Sequence, residues 1–520
     1  MPQIDVQKQY LWFPVRQGGE RKPLFIYDGD TRIFEFAVAP GNDAPDFYAA
    51  LNINDWMGKT LALSGEFPDA FFENIRQEDQ KPAGTSRRPR LHFAPEIGWM
   101  NDPNGLVYQD GEYHMCFQYN PFDTEWGNMT WGYAKSADLI HWQELDPVLY
   151  PDETGTMFSG CAYIDRENAA GFGKDARLYY YTAAGNNGEW SKGKPSTQHL
   201  AVTTDGGRTV EKKGMVLDTV ERDNRDPKVY YHAPSKGYFM VLFLVDNDFA
   251  VFRSENLKDW SMTQRITLPG AAECPDLFEL PVDGDPTDTK WIYWSADSCY
   301  YVGSFDGYTF TPEQEKRYAY CNKIAYAAQT VYGAPDRLIT IPWLRTGQRE
   351  LNGKKTTYHG LMGVPAVLSL TKDETGYRLR QNPVEELDRI ITSSVERKNL
   401  LSGCEETVAA VEDAPFEIKA SFPAGLTGTA SIGFAEGLTA TVDFAKGLFQ
   451  LGKEEVPFGA NKELDIRLIV DDDVIELFAD NGALYTVCEH TANTLAGEIR
   501  VALEGDVKLD SITVCVFGNN

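Results

Sequence analysis

Three acids stand at matching places in the chain. Asp102 precedes Pro103, Asp226 precedes Pro227, and Glu273 precedes Cys274-Pro275. Each heads a short apolar run, at residues 105–108, 228–231 and 276–280. Carboxyls gathered at one point cannot all ionise freely, because like charges raise the pKa of the least solvated member. Such a group can therefore divide into proton donor and anion, which is the material of acid/base and nucleophilic chemistry. Taken singly, each acid has an ordinary explanation. Asp102-Pro103-Asn104-Gly105 is a good β-turn, Asp226 can pair with its neighbour Arg225, and Glu273 can be a solvated loop acid. Their shared position argues for chemistry, and that depends on the elements around them.

Those elements read as a β-rich repeat. An apolar strand, a polar turn and a second, mostly aromatic strand recur five times. The pairs are residues 105–108 with 113–119, 161–164 with 178–182, 228–231 with 238–245, 276–280 with 291–294, and 329–332 with 338–341. The second strands begin about every 50 to 65 residues, which suits the four-stranded blades of a propeller. In a propeller the first strand of each blade lines the central channel, so all three acids would meet at one mouth. The fold class expected is all-β: a five-bladed β-propeller over residues 83–390, a C-terminal β-sandwich over 391–520 and a small N-terminal β-domain over 1–82. Strand-like runs at 24–27, 33–39 and 60–63 mark that first domain, and the Pro/Gly/Arg stretch 81–90 reads as a linker. Asn382-Pro383-Val384-Glu385-Glu386-Leu387 predicts a short connecting helix. Asp480-Asn481-Gly482 predicts a tight hairpin between residues 474–478 and 483–487.

Longer strings carry a resemblance. Trp99-Met100-Asn101-Asp102-Pro103-Asn104-Gly105, Arg225-Asp226-Pro227 and Glu273-Cys274-Pro275-Asp276 resemble the three signature motifs of glycoside hydrolase family 32. Gln118-Tyr119-Asn120-Pro121, Trp126-Gly127-Asn128, Phe158-Ser159-Gly160 and Ile341-Pro342-Trp343-Leu344 fit as well. The resemblance implies a retaining β-fructosidase acting on sucrose, fructo-oligosaccharides or fructans and releasing terminal fructose. Asp102 would be the nucleophile, Glu273 the general acid/base and Asp226 the transition-state stabiliser, with Glu273 keeping the shared proton and Asp226 ionised beside Arg225. Fructose would be held by Asn101, Gln118, Trp126, Phe158, Ser159, Arg225 and Trp343, mapped by motif position. A fructosyltransferase using the same covalent intermediate and a non-catalytic fructan-binding protein are the alternatives. Two departures stand out: Tyr133, expected at the pocket rim, and Cys161, where a small Ser is common.

Bulk properties fit an uncharged ligand. Lys and Arg number 49 against 77 Asp and Glu, a net charge of −28, which opposes nucleic-acid binding and a polybasic membrane patch. No basic stretch leads into an apolar one at the start, and the longest apolar run, residues 239–245, is far too short to span a membrane. Eight scattered cysteines lack CxxC pairs and metal-ligand spacing. These features set the expectation of a cytoplasmic protein with free thiols. Hydrolysis of this kind requires no metal or organic cofactor. Residues 1–82 are left with three open roles: glycan binding, packing on the propeller, or self-association.

Overall fold

The computed structural model describes all residues except 43, 352, 436, 460, 519 and 520. Two small sheets come first. Lys22–Asp28 lies between Thr31–Val38 and Thr60–Ser64, with Gln3–Asp5 at the edge; Tyr10–Val15 lies between Phe47–Asn52 and Arg76–Glu78. Alternation along these strands puts Leu24, Ile26, Phe36 and Val38 into one core with Leu11 and Phe13. Ile97 and Phe122, from beyond the segment, complete that core, so the two sheets are packed onto the rest of the chain. Four of these strands, Gln3–Asp5, Tyr10–Val15, Phe47–Asn52 and Arg76–Glu78, are absent from the sequence reading.

Four sheets follow, of five, four, four and ten strands, the ten-stranded one made of two successive antiparallel units, the fourth and the fifth. The first pairs Gly98–Gln109, Glu112–Asn120, Thr130–Ser136 and Gln143–Leu149 in that order. The second and third run from Thr156–Asp165 to Glu211–Leu217 and from Arg225–His232 to Ser261–Thr267. The fourth, starting at Asp276–Val282, meets the fifth, starting at Ala325–Thr330, through a single parallel pair, Val282 with Leu370. The first strands lie side by side, Thr156–Asp165 touching both Gly98–Gln109 and Arg225–His232. The last unit returns to the first: Tyr108 N–H donates to Tyr332 O at 2.8 Å, and Tyr332 N–H donates to Leu106 O at 3.0 Å. The predicted connecting helix is shorter than expected. Asn382 and Pro383 stay in the strand Gly376–Pro383, paired with Val367 and Ala366, and only Glu386–Arg389 is helical.

Two six-stranded sheets close the chain around one core that includes Phe416, Ile418, Ile432, Val442, Leu468 and Val501. Asp480, Asn481 and Gly482 take φ of 51°, 49° and 77°, the left-handed turn that the hairpin Val474–Ala479/Leu484–Glu489 needs. Residues 81–90 form no strand or helix, yet they are pinned. Arg87 and Arg90 pair with Asp472 at 3.0 and 2.9 Å, and Arg88 pairs with Glu96 at 3.1 Å.

The joint between the terminal sheets and the five units is ionic and dry. His92 Nδ1 lies 2.9 Å from Asp471 Oδ2 and Nε2 lies 2.6 Å from Glu476 Oε1, with all three side chains buried. Asp471 also accepts the Leu91 and His92 amides, and Glu476 accepts the Val364 amide. Burial alone would lower the His92 pKa; the two carboxylates outweigh it and raise the value to about 10. The same contacts outweigh burial at Asp471 and hold it below the usual carboxylate range. A group raised on folding stabilises the protein below its unfolded pKa and loses that contribution as pH climbs through the folded one. Resistance to heat should therefore fall between pH 6.5 and 10. Thermal midpoints across that range should fall less steeply for His92→Gln, and for Asp471→Asn the fall should end at a lower pH, because His92 then keeps only the Glu476 carboxylate.

Candidate active site

Irregularities at the start of the first strands build the site. Pairing shifts between Met100 and Pro103, between Phe158 and Gly160, between Arg225 and Lys228, and between Tyr326 and Gln329. A bulge adds a residue to one strand and re-aims its side chain. Asp102 and Asp226 thus sit inside Gly98–Gln109 and Arg225–His232, at bulges, and not ahead of them as the sequence suggested. Asp226, Cys274 and Ala327 take φ of 64°, 50° and 48°, a conformation costing about 1–3 kcal/mol each for residues with a Cβ. Gly160 could not be larger, since a Cβ there would strike the Tyr180 carbonyl.

The three acids converge. Ser159 Oγ donates to Asp102 Oδ2 at 2.6 Å. The Cys274 thiol bridges two of them, 3.6 Å from Asp102 Oδ2 and 3.4 Å from Asp226 Oδ2, while the Cys274 amide donates to Asp226 Oδ2 at 3.1 Å. Arg225 donates to Glu273 Oε2 from Nε at 3.0 Å and from Nη2 at 2.7 Å, and its Nε lies 3.7 Å from Asp226 Oδ2. Tyr326 OH donates to Glu273 Oε1 at 2.9 Å. Asp226 is enclosed, whereas the Glu273 side chain keeps 30% of its surface and Asp102 is half-buried. Two carboxylates are thus open to a ligand above a third that is not.

Protonation follows burial. Asp226 is pushed up to about 7, first by desolvation and then by the charges of Glu273 and Asp102, against the pull of Arg225. Asp102 is also raised, by burial and by Glu273, while hydrogen bonds from Ser159, Asn101 and Cys274 oppose the rise. Burial and the three carboxylates push the Cys274 thiol well up, so it stays an S–H donor. Asp226, expected to stay ionised beside Arg225, is thus raised by its burial in spite of that guanidinium. A fourth acid, Asp276, lies deeper and is fully paired: Lys228 Nζ is 3.2 Å away, and Thr330 N–H and Oγ1 donate at 3.0 and 2.7 Å.

The expected sugar-binding residues divide into floor and rim. Gln118 is buried, its amide donating to Met157 O at 2.9 Å, and Asn101 Oδ1 accepts the Trp99 indole N–H at 2.8 Å. Trp126, 45% exposed, meets Phe158 edge-on at 6.0 Å and forms a rim. Trp343 packs between Trp99 at 5.8 Å and Tyr326 at 6.3 Å, and its indole N–H has no partner. Arg225 lies over the Phe243 ring at 4.4 Å. Tyr133 is not at the rim. It is buried, with its hydroxyl 2.7 Å from His114 Nδ1. Cys161 packs in the interior and accepts the Val229 amide at 3.2 Å. Tyr326 and Thr182, whose Oγ1 accepts the Asp226 amide at 3.0 Å, were missed. Tyr326 could have been found, because it occupies on the fifth unit the place that the acids take on others.

Comparison with known proteins agrees with this geometry. Residues 92–383 match the family described as glycosyl hydrolases family 32 N-terminal domain. A levanase of Bacillus subtilis is 32% identical over 507 residues, covering 88% of this chain and 72% of that protein. An extracellular exo-inulinase of Aspergillus niger is 32% identical over 419 residues, covering 69% and 78%. Among solved structures, the exo-inulinase of Aspergillus awamori superposes with a TM-score of 0.71 at 26% identity, covering 83% of this chain and 98% of that one. A β-fructofuranosidase of Schwanniomyces occidentalis complexed with fructosyl-erythritol shares the fold, with a TM-score of 0.72 at 23% identity and the same coverage. With Asp102, Asp226 and Glu273 meeting around Cys274 and Arg225 and a family match across more than half its length, the chain belongs to glycoside hydrolase family 32 and is a glycosidase.

Proposed function

We propose that this chain is a retaining β-fructosidase that releases terminal fructose from fructans, fructo-oligosaccharides or sucrose, at the mouth of a five-bladed β-propeller carrying a β-sandwich. The reading rests above all on Asp102, Asp226 and Glu273 converging from three units on one thiol and one guanidinium. The levanase and exo-inulinase relatives support a fructan substrate. Eight unpaired cysteines suit a reducing, cytoplasmic setting. Self-association through residues 1–82 would use the outward faces of their sheets, since the inward faces are buried.

The chemistry divides as follows. Asp102 attacks the anomeric carbon of the terminal fructosyl unit, its carboxylate held in rotation by Ser159 and Cys274 on one oxygen. Glu273 gives a proton to the departing glycosidic oxygen, so the bond breaks to a neutral alcohol and a covalent fructosyl ester. Water then attacks that ester while Glu273, again a carboxylate, takes its proton. Retention requires the attacking and proton-donating carboxyls about 5–5.5 Å apart. Asp226 faces the oxocarbenium-like transition state from below. In the free site Glu273 accepts from Arg225 and Tyr326 on both oxygens, an arrangement ready for the base step.

Removing the proton donor should matter most where the leaving group needs it. Glu273→Gln should lower kcat on sucrose by about 10²–10⁴-fold and act far less on a fructoside with an acidic phenol leaving group. Equal turnover of sucrose by the variant and the parent would overturn the assignment. Hydrolysis in water–methanol should yield methyl fructoside of retained β configuration, read by NMR; the inverted anomer contradicts a covalent intermediate on Asp102. The pH profile carries a sign. kcat/KM should fall as pH rises past about 7, where Asp226 loses its proton. Asp226→Asn removes that titration, so the falling limb near pH 7 should be lost; a limb that stays in place shows that Asp226 does not set it.

A further inference from the structure

A second cleft opens beside the catalytic mouth, and one wall of it comes from the N-terminal segment. Its volume is about 460 Å³, within the roughly 300–1,000 Å³ of small-molecule sites. Arg21, Pro23 and Glu35 form one wall; Trp126, Thr156 and Trp190 stand across from them. Several specific contacts hold the walls together. Asn128 takes both backbone groups of Ala37, accepting its N–H at 2.7 Å and donating to its C=O at 2.9 Å. Arg21 Nη1 donates to the Trp126 carbonyl at 2.8 Å, and a side chain at Gly127 would collide with that guanidinium. Glu35 Oε1 accepts the Glu189 amide at 2.6 Å, and Arg32 spans from Glu35 at 2.9 Å to the Trp190 ring at 5.5 Å.

Position and charge say what the cleft can hold. Thr156 stands three residues before Ser159 on one strand, about 10 Å from the serine that holds Asp102. Trp126, edge-on to Phe158, stands between the two. A chain of sugars whose end lies on Asp102 reaches the cleft within about two units. The charged groups of the lining are paired: Arg21 with Asp123 at 3.7 Å, Glu35 with Arg32, Asp152 with Lys212 at 2.5 Å, and Lys192 with Glu189 at 3.3 Å. What remains is an exposed Trp face, a half-buried one, amides and hydroxyls, a set that suits a neutral polyol.

We infer that this cleft binds the sugar units on the leaving-group side of the scissile bond, so that residues 1–82 make the enzyme selective for uncharged oligosaccharides over sucrose. The inference rests on the fructosidase reading above. Its test compares kcat/KM for a linear fructan tetrasaccharide with that for sucrose, in the full chain and in Trp190→Ala and Pro23→Arg, the second of which fills the cleft without touching the propeller core. Both variants should lower the tetrasaccharide-to-sucrose ratio by about tenfold, mainly through KM. In a Glu273→Gln background, calorimetry should show the same loss in tetrasaccharide binding. A ratio and a binding constant that both variants leave unaltered would overturn the inference while sucrose hydrolysis still upholds the fructosidase. A parent chain that hydrolyses neither sugar overturns both.

Discussion

Carboxylates buried side by side raise one another's energy, and the whole mouth is arranged around how that repulsion is met. Asp276 shows the full solution: a buried lysine lies 3.2 Å away and Thr330 donates to it twice. The three acids above it receive less. One guanidinium serves two of them, forked onto Glu273 and further from Asp226, and Asp102 forms no ion pair among the described residues. The shortfall is made up by groups that donate hydrogen bonds without bringing charge: the Ser159 hydroxyl, the Cys274 thiol and amide, and the Tyr326 phenol. A site neutralised in full could not release or accept a proton near pH 7. Under-compensation is what keeps one here.

Such a cluster has to be forced together by backbone, and the strand bulges do this. A regular strand would send successive side chains to alternate faces, and none of these acids would point up the channel. The left-handed residues Asp226, Cys274 and Ala327 break that alternation at the same level of neighbouring units. Their strain is tolerable because the strands beneath are held on every side. The fifth unit is tied to the first through Tyr332, and the Lys228–Asp276 pair joins the third to the fourth. The His92 joint fixes the strand-like entry at residues 91–93 against the terminal sheets. The rigid scaffold lies below and the strained residues lie on top, where a ligand meets them.

How much of this was legible depends on whether local sequence carried the information. The repeat was legible because alternating apolar strands and turn residues are short-range signals, and the acids were legible because they held equal places in it. The hairpin at Asp480-Asn481-Gly482 was legible for the same reason: its φ angles are a property of those residues. What failed depended on long-range partners. Asn382-Pro383 reads as a helix start, but pairing with Val367 and Ala366 keeps it in a sheet. Tyr133 reads as rim, yet His114 from the neighbouring strand receives it in the interior. Asp226 reads as ionised beside Arg225, but desolvation raises it, and burial is not written in a motif. Residues 81–90 read as a linker from their Pro, Gly and Arg content, while Asp472 and Glu96 pin them.

The first 82 residues show most clearly how sequence and structure divide the work. They lie outside residues 92–383, where the family match falls, and nothing in their composition connects them with the acids. The connection is Asn128. Its side chain holds Ala37 of the N-terminal sheet and also donates to Asn120 Oδ1 at 2.9 Å. Asn120, in turn, accepts the Phe122 amide and donates to the Glu125 carbonyl, which shapes the loop that presents Trp126. Arg21 holds the same loop by the Trp126 carbonyl. A residue read from the sequence as part of a sugar-binding motif is therefore also the hinge between two sheets. Any shift of the N-terminal segment must move the rim of the mouth, because no backbone slack lies between them. The packing of residues 1–82 and the placing of Trp126 are thus one problem, held at Asn128 and Arg21.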